Sequence, residues 1–151
     1  MYNKLHTVTT KGFIMKKELV DQMTLQEACD FAVLKIVEQG GRCMSVHNKG
    51  ICSYSNGQGW HCAVGWLLDE TNENMMNTSA VIGYLSSYYS DSVPNLIKDN
   101  LEVFMRLQMF HDNILKDDRK EDIALLQDFG IDTSKPQWDQ WVEMGKDSSK
   151  D

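Results

Sequence analysis

Apolar residues recur at helical spacing along most of the chain, and this pattern predicts a mainly helical protein. Thr24 and Glu27 match the capping box, in which the hydroxyl accepts an N-terminal amide and the glutamate reaches back. Gly40 then provides a residue suited to a left-handed C-terminal cap, so we predict a helix over 24–39. Its apolar stripe consists of Leu25, Ala28, Ala32 and Ile36.

The same spacing predicts further helices downstream. Their expected ranges are about 62–69, 79–89, 94–116, 119–129 and 134–144. Pro94 and Pro136 each fall in a first helical turn, where the missing N–H of proline costs nothing. The polar segment 70–78 is predicted to be a loop. The helix expected over 79–89 has an apolar side that consists of Val81, Ile82, Tyr84, Leu85 and Tyr88.

Residues 42–60 change to a pattern typical of strands. Two short candidates, at 42–46 and 51–55, precede the dipeptide Asn56-Gly57, which accepts the positive φ angles of a tight hairpin turn. We therefore expect an α+β fold, a mainly helical single domain with one small β-hairpin near 50–62.

The register of this hairpin decides which side chains face each other. A two-residue loop places Cys52 opposite His61, and a three-residue loop places Cys52 opposite Cys62. Both registers bring two potentially reactive groups together, and the sequence leaves the choice open.

The length of 151 residues fits one domain. We expect an N-terminal extension or poorly ordered segment over 1–23, a globular domain over 24–145 and a frayed tail over 146–151.

A net charge of −7 disfavours nucleic acid and anionic lipid as partners, and no apolar stretch is long enough to cross a membrane. Since no secretory signal is visible, the four cysteines are expected to be reduced.

Cys62 is the candidate nucleophile. If a helix begins there, the helix dipole lowers the pKa of its thiol, and cysteine hydrolases add a histidine base within hydrogen-bonding reach. The candidate bases are His47, His61 and His111. The alternative is a buried structural thiol.

Residues of zinc-ligand type also cluster in this part of the chain, namely Cys43, His47, Cys52, His61 and Cys62. No Cys-x-x-Cys pair occurs among them, so we predict no metal or other cofactor.

Gln108 and His111 interrupt an otherwise apolar helical stripe, and Asp112 follows directly. Because buried polar groups need hydrogen-bond partners, the pair indicates either a structural network or a site. We predict that the hairpin end around Cys52 and Cys62 packs close to this helix face, because so small a hairpin must pack on a helix to be stable. The candidate catalytic residues are Cys62 and His111, and the candidate binding residues are Cys52, Tyr54, Trp60, His61, Gln108 and Asp112. Trp60, beside a glycine-rich turn, is expected to be exposed.

Three motifs together resemble a family of small uncharacterised proteins of bacteriophages, prophages and some bacteria. They are Gly50-x-Cys52-x-Tyr54, Cys62-Ala63-Val64-Gly65-x-Leu67-Leu68 and Leu107-Gln108-x-x-His111-Asp112. In that family the second motif is commonly Cys-Ala-Ile-Gly-x-Leu-Ile, so Val64 is a mild departure. The resemblance spans about residues 24–130.

The resemblance implies a phage-type accessory protein, with counter-defence as one such role, and it assigns no catalytic residue. We therefore expect a protein of the host cytoplasm that binds a host protein or a small nucleotide-like ligand. The alternative is a cysteine-dependent hydrolase or transferase that uses Cys62 with a histidine base. A third class is a purely structural or metal-stapled protein. Whether the chain is an enzyme, and its oligomeric state, are left open.

Overall fold

The structure of the protein, a computed structural model, describes residues 14–44, 54–78 and 80–147. The α-helices of these residues are α1 (Lys17–Val20), α2 (Leu25–Gln39), α3 (Glu73–Met76), α4 (Ile82–Tyr88), α5 (Asn95–Lys98), α6 (Leu101–Asp112), α7 (Lys116–Asp128) and α8 (Pro136–Glu143). Two 3-10 turns lie at Val64–Leu67 and Ser90–Ser92. None of the helices in the described ranges is long and apolar enough to span a bilayer.

The predicted α+β class is wrong, because the described residues form helices and no β-strand. Where the hairpin was expected, Ser55 and His61 form an isolated antiparallel bridge. This pairing encloses five residues, 56–60, so neither the two-residue nor the three-residue loop is present. The position of Cys52, and with it the predicted first strand up to residue 53, lies outside the described residues.

The side chain of Asn56 explains the wider loop. Its Oδ1 accepts hydrogen bonds from the backbone N–H of Gln58 at 2.8 Å and of Trp60 at 3.2 Å. Gly57 and Gly59 have φ angles of 77° and 91°, which let the backbone wrap around this acceptor. Asparagine therefore organises the loop through its side chain, in competition with a tight two-residue turn.

Helix α2 forms as predicted, because its end signals are local. Thr24 Oγ1 accepts from the backbone N–H of Glu27 at 3.0 Å, and Glu27 Oε1 accepts from the backbone N–H of Thr24 at 2.9 Å. At the other end Gly40 caps the helix with a φ of 93°. A cap of this kind contributes about 1 kcal/mol.

Helix α8 lies at the centre of the core, in contact with both α2 and α7. Its two tryptophans are fully enclosed and keep their indole N–H groups bonded. Trp138 Nε1 donates to Asp30 Oδ1 on α2 at 2.8 Å, and Trp141 Nε1 donates to the Phe110 carbonyl oxygen on α6 at 2.9 Å. The rings can be buried because their polar atoms retain partners.

The single helix predicted over 94–116 is divided into α5 and α6. Asn100 lies between them with φ −137° and ψ 42°, and its Nδ2 donates to the Leu96 carbonyl oxygen at 2.9 Å. The short polar side chain thus bonds to the preceding turn while its own backbone leaves the helical conformation. A further short helix, α3, occupies part of the segment predicted as a loop, capped by Asn72, which accepts from the Met75 N–H at 3.1 Å.

Residues 14–23 contact the rest of the chain. Met15 and Val20 are fully buried, and the Met15 carbonyl oxygen accepts from the Glu70 N–H at 3.0 Å. At the other end, Lys146 N–H donates to the Ile114 carbonyl oxygen at 2.7 Å. The described chain is therefore anchored close to both of its ends.

Candidate functional site

The turn that follows Cys62 packs against α6 at the polar interruption of its apolar stripe. Gln108 Oε1 accepts from the Val64 N–H at 3.1 Å, and Gln108 Nε2 donates to Asp112 Oδ1 at 3.2 Å. The Cys62 Sγ accepts from the Gly65 N–H at 3.2 Å. The predicted contact with this helix face is confirmed for the Cys62 turn, and Cys52 lies outside the described residues.

His111 joins a third segment to this contact. Its Nε2 accepts from the backbone N–H of Cys43 at 3.1 Å, so the imidazole proton lies on Nδ1. Nδ1 donates to Asp112 Oδ1 at 2.8 Å. The side chain has no exposed surface, and burial holds the pKa of His111 below its ordinary value of 6.5. The imidazole is therefore neutral, with both ring nitrogens already bonded.

These contacts give no support to a nucleophile–base pair of Cys62 and His111. Cys62 is fully buried, and burial raises the pKa of its thiol well above the ordinary value, with nearby Asp112 and Cys43 adding to the rise. The reactive thiolate is thus disfavoured. The acceptor nitrogen that a general base needs is already bonded to the Cys43 amide. The geometry favours a buried thiol and a buried imidazole that help to fix the fold, within a polar network whose outer members, Gln108 and Asp112, are partly exposed.

Gly65 explains why the motif around Cys62 needs a residue without a side chain. A Cβ at this position would overlap the Tyr54 carbonyl oxygen, and it would lie 3.2 Å from the Cys62 Sγ. The same carbonyl accepts from the Cys62 N–H at 3.3 Å, so the two backbone segments run in direct contact. The motif Cys-Ala-Val-Gly therefore marks a close backbone approach.

His61 belongs to a separate cluster. Its Nε2 lies 2.9 Å from Glu70 Oε1, and its ring stacks on Trp66 with centroids 4.5 Å apart. Gln39 Oε1 accepts from the His61 N–H at 3.0 Å. Both His61 Nδ1 and Trp66 Nε1 are buried without a hydrogen-bond partner. Because Glu70 already contacts the Nε2 of His61, this nitrogen is not available as a general base for Cys62.

The other candidate binding residues differ in exposure. Tyr54 is buried, its hydroxyl donates to the Ala80 carbonyl oxygen, and burial raises its pKa. Trp60 is exposed, as predicted, with 38% of its surface accessible. Cys52 and His47 lie outside the described residues. In the ranges that the structure describes, no three histidine, cysteine or acidic side chains are arranged to hold a metal ion.

Helix α4 and the residue before it present part of their predicted apolar side to solvent. Ile82 and Leu85 point inward, with 2% and 0% exposure. Val81, Tyr84 and Tyr88 point outward, with 69%, 51% and 67% exposure, and we call these three residues the tyrosine face. The five residues of the predicted apolar side are therefore divided between the core and the surface, since a short helix on the surface buries only one stripe.

The two rings of the tyrosine face are ordered against each other. The centroids of Tyr84 and Tyr88 are 5.5 Å apart with an interplanar angle of 12°, and Tyr89 meets Tyr88 edge-on at 4.8 Å. One signal in the sequence could have revealed this face. Apolar residues at 81, 84 and 88 form a second stripe beside the stripe at 82 and 85, which is more apolar surface than such a short helix can bury.

The stretch of sequence that contains the tyrosine face is acidic. Residues 50–97 contain no lysine or arginine. The acidic residues of this stretch are Asp69, Glu70, Glu73 and Asp91. Asp91 is exposed and follows α4 directly. The next cation along the chain, Lys98, donates through Nζ to the Ser90 carbonyl oxygen at 3.0 Å.

The described residues thus define a small helical protein with a polar network around His111 and an exposed aromatic face. No family model, curated protein or solved structure matches the chain. The resemblance to phage and prophage proteins therefore stays a prediction that rests on the motifs alone.

Proposed function

We propose that this chain is a binding protein that engages another protein through the tyrosine face. The observation that carries this proposal is the stacked pair Tyr84 and Tyr88, which lies open to solvent next to the apolar Val81. Exposed apolar groups that cluster on one face mark interaction surfaces, and tyrosine is among the residues that contribute most to binding energy. Stacking also holds the rings in place, which lowers the entropy lost on binding.

A protein partner is favoured over a nucleotide-like ligand because of charge. Phosphate groups are bound by arginine, lysine or long-helix N-termini, and residues 50–97 supply no lysine or arginine. The cation that follows this stretch, Lys98, already donates to the carbonyl and hydroxyl oxygens of Ser90 at 3.0 and 3.3 Å. Asp91 adds a negative charge at the end of α4. The same argument disfavours nucleic acid and anionic lipid at this face.

The cysteine-dependent alternative has less support than binding. The thiol of Cys62 and the ring of His111 are both fully buried and engaged in hydrogen bonds. The motif resemblance suggests that the partner is a bacterial host protein and that the complex acts in the host cytoplasm, with inhibition of a defence protein as one outcome. This part of the proposal rests on the three motifs.

Affinity capture from bacterial lysate with quantitative mass spectrometry tests the proposal. The bait is the full chain, the test variant carries Tyr84→Ser and Tyr88→Ser, and the matched control is Phe129→Ser, another exposed aromatic residue, at the end of α7 with 43% exposure. We expect one partner whose recovery falls about tenfold in the tyrosine variant and is unchanged in the control. Equal recovery of every captured protein by all three baits would contradict the proposal.

A further inference from the structure

We propose that the partner presents arginine or lysine side chains, foremost arginine, which stack on the rings of Tyr84 and Tyr88. This inference rests on the proposed function and specifies the chemistry of the partner. The complementary segment is a basic one in which a cation lies beside apolar residues. The cation packs on the rings, and the apolar residues cover Val81.

The first support is the way the chain pairs its other aromatic rings. The guanidinium of Arg119 lies 4.0 Å from the ring centroid of Trp141, and Lys35 Nζ lies 5.2 Å from that of Trp66. Within the described residues no cation is found over Tyr84 or Tyr88. The negative π-face of a tyrosine ring attracts such a cation, and the planar guanidinium stacks well on it. The tyrosine face thus has ring surface open to a cation from outside.

The second support is the charge balance around the face. Between residues 69 and 102 the chain has one cation, Lys98, and six acidic residues: Asp69, Glu70, Glu73, Asp91, Asp99 and Glu102. Asn72, the cap of α3, donates through Nδ2 to Ser92 Oγ at 2.9 Å, so the helix that bears Glu73 begins beside the turn that bears Asp91. Asp91 is exposed, and an excess of exposed negative charge steers a cationic segment toward a surface at physiological salt.

The same charges argue against other occupants. A second copy of the chain carries the same net charge of −7, and like charges repel. An anionic ligand or membrane surface meets the same repulsion. A partner of opposite charge is the occupant that both the rings and the carboxylates favour.

A random-peptide display selection on the immobilised full chain tests the inference. The most enriched peptide is synthesised in two forms, one with arginine and one with each arginine replaced by citrulline, which keeps the shape and removes the charge. Binding of both forms is measured to the wild type, Tyr84→Ala/Tyr88→Ala, Tyr84→Phe/Tyr88→Phe and Phe129→Ala.

We expect enrichment of arginine, and an affinity loss of about tenfold both for citrulline and for the double alanine variant. The double phenylalanine variant and Phe129→Ala should bind like the wild type, because the first keeps the π-faces and the second lies on another helix. The citrulline comparison needs no altered protein, so it stays decisive even if a variant loses stability.

The results that would contradict the cationic inference have different consequences for the proposed function. Neutral or acidic peptides that depend on the tyrosines would overturn the cationic inference and leave the proposed function standing. Arginine peptides that bind the double alanine variant equally well, or no enriched peptide at all, would overturn the inference, and lysate capture would then decide the proposed function independently. Self-association in sedimentation that the double alanine variant abolishes would overturn it in favour of a second copy.

Discussion

His111 holds two segments in place through one neutral ring. Replacing it with alanine leaves the Cys43 N–H and the buried side of Asp112 without their partner, so we expect His111→Ala to lower the free energy of unfolding by about 1–3 kcal/mol, plus a cavity contribution. Urea unfolding measures this loss. His111→Gln, which can place an acceptor toward the Cys43 amide, should lose less. Equal losses for both variants would show that the hydrogen bond is not the cause.

The neutral state of His111 also predicts a pH dependence. Burial lowers its folded-state pKa below the ordinary value of 6.5, so the unfolded chain binds a proton that the folded chain resists. Stability from this residue is complete above about pH 6.5 and falls as the pH drops below it. Unfolding free energies of wild type and His111→Gln, compared across this range, should converge toward acid. Parallel curves would mean that His111 titrates alike in both states.

Gly65 is the residue whose small size the fold requires most directly. A methyl group there meets the Tyr54 carbonyl oxygen, a backbone atom that cannot move aside, so Gly65→Ala should destabilise the protein by about 1–3 kcal/mol or more. The matched control is Gly83→Ala, since a Cβ at Gly83 meets nothing within 4 Å and the residue lies inside α4. That control should gain about 0.4–1 kcal/mol. Thermal unfolding measures the melting temperatures of both variants. A shift in the same direction for Gly65→Ala and Gly83→Ala would contradict this interpretation.

At the scale of elements, α4 separates a structural stripe from an exposed one. Leu85 is fully buried, so Leu85→Ala should cost about 2–5 kcal/mol of unfolding free energy. Tyr84→Ser and Tyr88→Ser remove exposed rings and should cost far less, because little of their surface leaves water on folding. Chemical denaturation distinguishes the two stripes. A large loss for the tyrosine variants would assign those rings to the core instead of to binding.

At the scale of the whole molecule, thiol reactivity reports global unfolding. The thiols of Cys29, Cys43 and Cys62 are fully buried, and burial raises the pKa of Cys29 to about 12. In a Cys52→Ser background, alkylation of these three thiols should therefore follow the unfolding rate and reach completion only in denaturant. Mass spectrometry after a brief exposure to iodoacetamide measures this. One thiol that reacts at once in the native protein would restore the case for cysteine chemistry.

The sequence determined the features whose causes lie within a few residues. Helix α2 follows from Thr24, Glu27 and Gly40, which act on their own segment alone. Helix α8 follows from Pro136 in its first turn. The contact between Gln108 and the Cys62 turn was also predictable, because a polar side chain in an apolar stripe must find a partner.

Only the tertiary structure decided the remaining features, because in each of them local signals compete or partners come from distant segments. The Asn56 side chain replaced the tight hairpin turn with a wider loop. Both stripes of α4 are apolar, so its packing on α6 alone determined that Leu85 is buried and that Tyr84 is exposed. The proton position on His111 depends on the amide of Cys43, a residue 68 positions away in the chain. Such a contact has no local pattern, since it exists only after separate helices have packed together.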